Sequence, residues 1–171
     1  MELVLEKSVI RSWRMSDAAS LARHANDRNV WRNLRDQFPH PYTPADAESW
    51  VGAVREMVPE TSFAIAVGGE AAGGFGLKQG VDVYRRQMEI GYWLGQSHWG
   101  RGIVTEAVVA MSNFAFENFA ICRLYACVFE WNPASTRVLE KAGYVFEGRH
   151  RNSVTKDGQT IDELVYALVR P

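Results

Sequence analysis

Between residues 102 and 119 the apolar side chains fall on two neighbouring helical stripes. Ile103, Ala107, Ala110 and Phe114 form one, and Val104, Val108, Met111, Ala115 and Phe119 form the other. Thr105, Glu106, Ser112, Asn113 and Glu117 leave only a narrow polar edge, so the pattern predicts a helix that is mostly buried. A helix of that kind needs apolar layers around it, and strand patterns stand on both sides of it. In 86–94, Met88, Ile90, Tyr92 and Leu94 share one face and Glu89, Gly91 and Trp93 the other, with Gly91 marking a bulge. The segment 122–129 is apolar on both faces apart from Arg123, the pattern of a central strand in a covered sheet.

The remaining elements are read by the same rules. Leu3, Leu5 and Val9-Ile10 predict one opening strand, and Ser16-Asp17 precedes a helix over 17–25. Thr43 before Pro44 predicts an N-cap with proline at the first helical position, opening a helix toward Glu56. The segment 31–42, with Trp31, Arg32, Arg35, Asp36, Phe38 and His40, reads equally as a binding loop or as a surface helix with a solvated charged face. Strands over 62–67 and 71–78 make a hairpin about Gly68-Gly69, and Gly73, Gly74 and Gly76 either weaken the second strand or mark close packing. Asn132-Pro133 opens a last helix that Gly143 closes, and strands over 144–151 and 160–169 follow, joined through Asp157-Gly158. The order is α/β, a mixed sheet of about seven strands with four helices on both faces, and 1–171 reads as a single domain.

Composition narrows the function classes. Hydrophobic residues make up 47% and charged residues 23%, which excludes a disordered or fibrous chain. Nineteen Lys and Arg against 20 Asp and Glu leave a net charge of −1, which argues against a dedicated nucleic-acid binder. There is no signal-peptide pattern and no apolar run of membrane-spanning length, so the expectation is a cytoplasmic protein with no membrane partner. Cys122 and Cys127 on one strand would stand roughly 16 Å apart, too far for a disulfide, and they have no zinc-ligand spacing with the four histidines. No metal is expected.

Chemistry concentrates in Gln96-Ser97-His98-Trp99-Gly100-Arg101-Gly102, between a strand and the buried helix. Glycines there let backbone approach a ligand, and helix-terminal N–H groups favour a phosphate or pyrophosphate; a tight turn with no ligand is the plain alternative.

With these elements in place, the chain resembles the GNAT (GCN5-related) N-acetyltransferase superfamily over nearly its whole length. The resemblance rests on Glu89 to Leu94, on Trp99-Gly100-Arg101-Gly102 with Thr105-Glu106-Ala107, and on Asn132-Pro133-Ala134-Ser135 through Glu140 to Tyr144 and Glu147-Gly148. It is nearest to the ribosomal-protein alanine/serine N-acetyltransferase branch, of the RimJ/RimL kind. It implies a GNAT fold with a mostly antiparallel sheet, and acetyl-CoA in a V-shaped gap where strands around Tyr92-Trp93-Leu94 and Tyr125 to Phe129 splay apart. Strand groups left unpaired there would bond the pantetheine amides. The pyrophosphate would sit on the N–H groups of Gly100, Arg101 and Gly102, beside Trp99. Ser97 departs from the usual Gln or Arg, and Arg101 is expected to compensate. Asn132 has two compatible roles, helix cap and pantetheine contact.

For catalysis the resemblance implies Glu89 as general base, with an ordinary ion pair, for example to Arg86, as the alternative. Ser135 would stand near the sulfur, and it is also a plain helix starter. The tyrosine that protonates the thiolate in many members is Leu139 here, and the carboxylate of the strand after the last helix is Val154. Trp31, Tyr92, Trp131 and Tyr144 are aromatic candidates for an acceptor pocket, or core residues. Asp162 either binds a cationic acceptor or pairs across strands. The leading function is acetyl transfer from acetyl-CoA to a primary amine in a ternary complex, including a protein N-terminus such as that of a ribosomal protein. The alternatives are a small amine as acceptor (amino acid, polyamine or antibiotic) and a catalytically idle acyl-CoA-binding domain. A monomer or homodimer is expected.

Overall fold

The computed structural model describes residues 1–170. Its strands are β1 (Glu2–Val4), β2 (Val9–Ser12), β3 (Ser62–Val67), β4 (Glu70–Gln79), β5 (Gln87–Leu94), β6 (Arg123–Phe129), β7 (Val145–Lys156) and β8 (Gln159–Val169). The α-helices are α1 (Ala18–Ala25), α2 (Arg28–Trp31), α3 (Pro44–Arg55), α4 (Ile103–Asn118) and α5 (Pro133–Lys141). The strands form one sheet in the order β1-β2-β3-β4-β5-β6-β8-β7. The β5·β6 ladder is parallel, and β1·β2, β2·β3, β3·β4, β6·β8 and β7·β8 are antiparallel. A parallel pair requires a long crossover, and α4 supplies it.

The strand count exceeds the expected seven because the opening segment is two strands. Leu5 N–H bonds the Ser8 carbonyl at 2.9 Å, turning the chain so that β1 pairs back on β2. The fifth helix is the single turn of α2, capped by Asp27 through the Asn29 N–H at 2.7 Å. After it, 32–43 carries no strand or α-helix, which settles the segment with Phe38 and His40 as a loop.

By contacts the chain divides into two compact units, residues 1–76 with 92–107, and residues 77–91 with 108–171. In the first, α1 and α3 bury Leu21, Ala22, Ala25, Ala47, Val51 and Val54 with Trp13 and Ala64. The start of α3 is a reciprocal cap: Asp46 N–H bonds Thr43 Oγ1 at 3.2 Å, and Thr43 N–H bonds Asp46 Oδ2 at 2.8 Å. Arg11 and Asp17 form a buried bidentate pair, with Nη1–Oδ2 at 2.7 Å and Nη2–Oδ1 at 2.8 Å. Gly73 and Gly74 are there for close packing. A Cβ on Gly73 would collide with the Trp93 carbonyl oxygen and stand 3.0 Å from Leu94 Cα, and one on Gly74 would stand 2.8 Å from Trp93 Nε1.

In the second unit, Met88 and Ile90 of β5 and Leu124, Ala126 and Val128 of β6 are buried, as are Val108, Met111 and Ala115 of α4. Strand β6 was expected to be covered on both faces. Instead Arg123, Tyr125 and Cys127, which alternate with the buried set, are half-buried, and Arg123 forms a bidentate pair with Glu147. Neither Cys122 nor Cys127 is in a disulfide. Tyr144 lies in this core: its hydroxyl is 2.8 Å from Ser112 Oγ, and burial pushes its pKa up to about 12. It is a core residue, as is the fully buried Leu139.

Replacing Gly73 by Ala overpacks the β4–Trp93 contact and should destabilise the protein by about 1–3 kcal/mol in urea unfolding. A loss below about 0.5 kcal/mol would show that Trp93 yields without cost.

Candidate functional site: the turn at residues 96–102

The turn is built from the end of β5. Gly95 N–H donates to the Ala72 carbonyl at 2.8 Å, holding the strand end to β4. Trp99 Nε1 then reaches back to the Leu94 carbonyl at 2.6 Å, folding a short 3-10 turn over 96–98 onto the strand it left. Gly100 and Gly102 follow at φ +75° and +79°, in the left-handed region that costs other residues about 1–2 kcal/mol. Space beside Gly100 is open. The helical ladder of α4 begins with Glu106 N–H to the Gly102 carbonyl at 3.1 Å. Among the described residues, the N–H groups of Gly100, Arg101 and Gly102 donate to no backbone carbonyl. Exposed donors at the positive end of a 16-residue helix form an anion-binding arrangement.

Side chains complete it in a way the sequence did not disclose. Arg101, expected to compensate for Ser97, turns its Nη2 onto the Ser97 carbonyl at 2.8 Å and braces the turn itself. The ammonium beside the glycines belongs to Lys7, whose Nζ lies 3.2 Å from where a Cβ on Gly102 would be. Glu106 receives the N–H groups of Glu6 at 2.8 Å and Lys7 at 3.1 Å, clamping the β1–β2 loop onto the first turn of α4. Their separation in sequence leaves no local pattern for this contact.

His98, within the turn, packs against His24 at 5.3 Å between ring centroids, and its Nδ1 is buried with no hydrogen-bond partner. His24 is itself packed tightly, its Nδ1 lying 2.5 Å from where a Cβ on Gly95 would be. Burial lowers the pKa of both rings, Arg23 and His98 adding to the effect at His24 and Arg101 at His98.

The other predicted site residues divide by element. Tyr92 is stacked on Phe75 at 6.2 Å, and Trp93 packs edge-on to Phe38 at 5.4 Å. Trp31 is stacked with His40 at 5.4 Å, with Arg28 over its ring. In the second unit, Glu89 is in register with Tyr125 on the half-buried face of the β5·β6 ladder. That ladder records partners only at Gln87, Met88 and Glu89, so pairing with β6 stops before Gly91. The last paired residue, Glu89, stands two residues before the glycine that suggested a bulge. Asn132 caps α5, its Oδ1 receiving the Ser135 N–H at 3.2 Å, which places Ser135 in the first helical turn. A cavity of about 400 Å³ on this unit is lined by Gln87, Tyr125, Cys127 and His150 among others. Trp131 packs edge-on to Phe129.

Asp162 has a structural engagement on each oxygen. Oδ2 pairs with Arg149 Nε, and Oδ1 receives the Asn152 N–H at 2.8 Å, where Asn152 has φ +50° and β7 shifts register. The Asn152 N–H and the Arg149 guanidinium hold its carboxyl below the usual range. Among the described residues, no group of three or more His, Cys, Asp and Glu side chains is placed to hold a metal, and no helix is long and apolar enough to cross a membrane.

A strand whose parallel ladder ends early, then a glycine turn, then a helix, is the order that the resemblance to acetyltransferases implied. The chain belongs to the family of the acetyltransferase (GNAT) domain, whose model matches residues 8–145. It is 43% identical over 82 residues to probable N-acetyltransferase YjcK of Bacillus subtilis, covering 48% of this chain and 45% of that protein. It is 31% identical over 68 residues to the ribosomal-protein-serine acetyltransferase of Escherichia coli, covering 40% and 38%. In these matches the chain spans less than half the length of the curated relatives. A solved structure of Mycobacterium smegmatis RimJ in complex with CoA-disulfide superposes with a TM-score of 0.84 at 25% identity, covering 95% of this chain and 81% of that one.

Because the folded rings of His24 and His98 resist protonation, the unfolded chain binds more protons as pH falls below about 6.5. Stability in urea should therefore drop between pH 7.5 and 5.5. The drop should shrink in His24→Asn, and an equal drop in that variant would remove His24 from the linkage.

Proposed function

We propose that the protein is an acetyl-CoA-dependent N-acetyltransferase whose acceptor is a primary amine, with an N-terminal α-amine as the favoured class. The observation that carries this reading is the turn at Gly100-Arg101-Gly102, with unpaired N–H donors, two left-handed glycines, open space at Gly100 and a lysine ammonium alongside. That donor set suits a pyrophosphate. Membership of the GNAT family, and the names of relatives that act on ribosomal proteins, support the same reading.

When bound, acetyl-CoA supplies the thioester and the leaving thiolate. The backbone N–H groups of Gly100, Arg101 and Gly102 hold the diphosphate. The edge of β5 that faces β6, where the parallel ladder ends at Glu89, is the edge assigned to bond the amides of the pantetheine arm. Asn132 keeps α5 capped through Oδ1, and its Nδ2 remains available to a ligand carbonyl. Glu89 is the carboxylate assigned to take the proton from the amine, and the Ser135 hydroxyl is assigned to deliver one at the sulfur. Leu139 is fully buried, so α5 offers no acid at that position. An α-amine, with a pKa of about 7.7–8.0, needs less help from a base than a lysine at about 10.4, and the sparse set of acid-base groups favours it.

The test is release of thiol from acetyl-CoA with a panel of peptides bearing free N-termini, blocked peptides containing lysine, and small amines. Binding without turnover on every amine would instead favour an idle acyl-CoA-binding domain. Glu89→Gln should lower kcat at pH 7 by about 100-fold, the low end for one acid-base group, with partial recovery at pH 9. An unchanged pH–rate profile would remove Glu89 from the mechanism.

A further inference from the structure

Lys7 lies in the loop 5–8, far in sequence from every motif of the phosphate turn, yet its ammonium reaches the glycines. Two observations fix it there. Glu106 spends both carboxylate oxygens on the N–H groups of Glu6 and Lys7, so the loop backbone is held to the helix start by two charge-assisted bonds. The Nζ then lies 3.2 Å from the point where a Cβ would leave Gly102, the residue whose N–H is the last free donor before the helix. The backbone of Lys7 is clamped while its ammonium enters no ion pair among the described residues.

The chemistry of the turn calls for such a group. A pyrophosphate diester carries two negative charges, and backbone N–H groups at a helix end offer only about half a positive charge. Ser97 brings none, and the Arg101 guanidinium is turned onto the Ser97 carbonyl. Glu106 adds a negative charge one turn into the helix, which raises the need for a cation facing the ligand.

We propose that Lys7 is a phosphate-binding residue of this protein, contributed by the β1–β2 loop and aimed at the pyrophosphate of CoA. The inference rests on the reading of the turn as the CoA site. A lysine is a compact, flexible point charge, so the contact gives affinity and salt dependence with little demand on geometry.

Titration calorimetry of the intact protein with CoA, 3′-dephospho-CoA and pantetheine tests it. Lys7→Met should bind CoA and dephospho-CoA about tenfold more weakly, at the lower end of the range for a hydrogen bond to a charged group. It should bind pantetheine as the parent does, and its CoA affinity should fall less steeply with salt. Lys7→Arg should recover most of the loss. The melting temperature of Lys7→Met should match the parent, because the clamp uses the backbone N–H and not the side chain. Parent-like CoA binding in Lys7→Met overturns the proposal and leaves the site reading intact. A loss seen with CoA but not with dephospho-CoA overturns the assignment to the pyrophosphate. Failure of the parent protein to bind CoA at all overturns the site reading, and the proposal falls with it.

Discussion

The arrangement of the glycine turn at 96–102 depends on how closely the end of β5 approaches β4. Gly73 and Gly74 bring no Cβ, so the Trp93 carbonyl and indole occupy space that a larger residue would fill. With Trp93 seated, Gly95 N–H meets the Ala72 carbonyl and Trp99 Nε1 meets the Leu94 carbonyl. Each contact sets the origin of the next: strand end, short turn, glycines, then α4. A one-residue slip in this register would exchange the two faces of β5 and place Trp93 where Leu94 and Tyr92 now point.

In the first unit the Arg11–Asp17 pair is closed on itself, whereas the turn carries N–H groups that donate to no backbone carbonyl. Arg11 and Asp17 are both buried and joined by two hydrogen bonds, and Asp17 also accepts the Arg14 N–H at 2.8 Å. Removing one partner of such a pair strands a charge out of water at a cost of about 3–5 kcal/mol, whereas exposed pairs such as Arg23–Glu70 contribute about 1 kcal/mol or less. The N–H groups of residues 100–102 stand apart from that closed network. Donors held in place by a rigid surround, and not used by it, can bind a ligand without first giving up other bonds.

Asp162 shows how one residue type supports two readings until its neighbours are known. Its position in a closing strand suits a cationic acceptor, but Arg149 and the left-handed Asn152 both engage it, at the point where β7 changes register. Tyr144 and Leu139 lie in the core, the Tyr144 hydroxyl against that of Ser112. Arg101 and Lys7 form the sharper contrast. The cation next to the glycines in sequence braces the turn, and the cation next to them in space comes from the opening hairpin.

Local chemistry is written along the chain, and there the sequence by itself decided the outcome. The Thr43-Pro44 and Asn132-Pro133 helix starts, the Gly68-Gly69 and Asp157-Gly158 turns, the buried stripe of α4 and the glycine turn before it all depend on neighbours a few residues apart. Contacts between distant segments were left to the tertiary structure. These are the division of the opening segment into two strands, the half-open face of β6, the place where β5 leaves β6, and the Glu106 clamp that brings Lys7 to the turn. The reason is physical: side-chain periodicity reports which face of an element is apolar, but not which distant segment comes to lie against it.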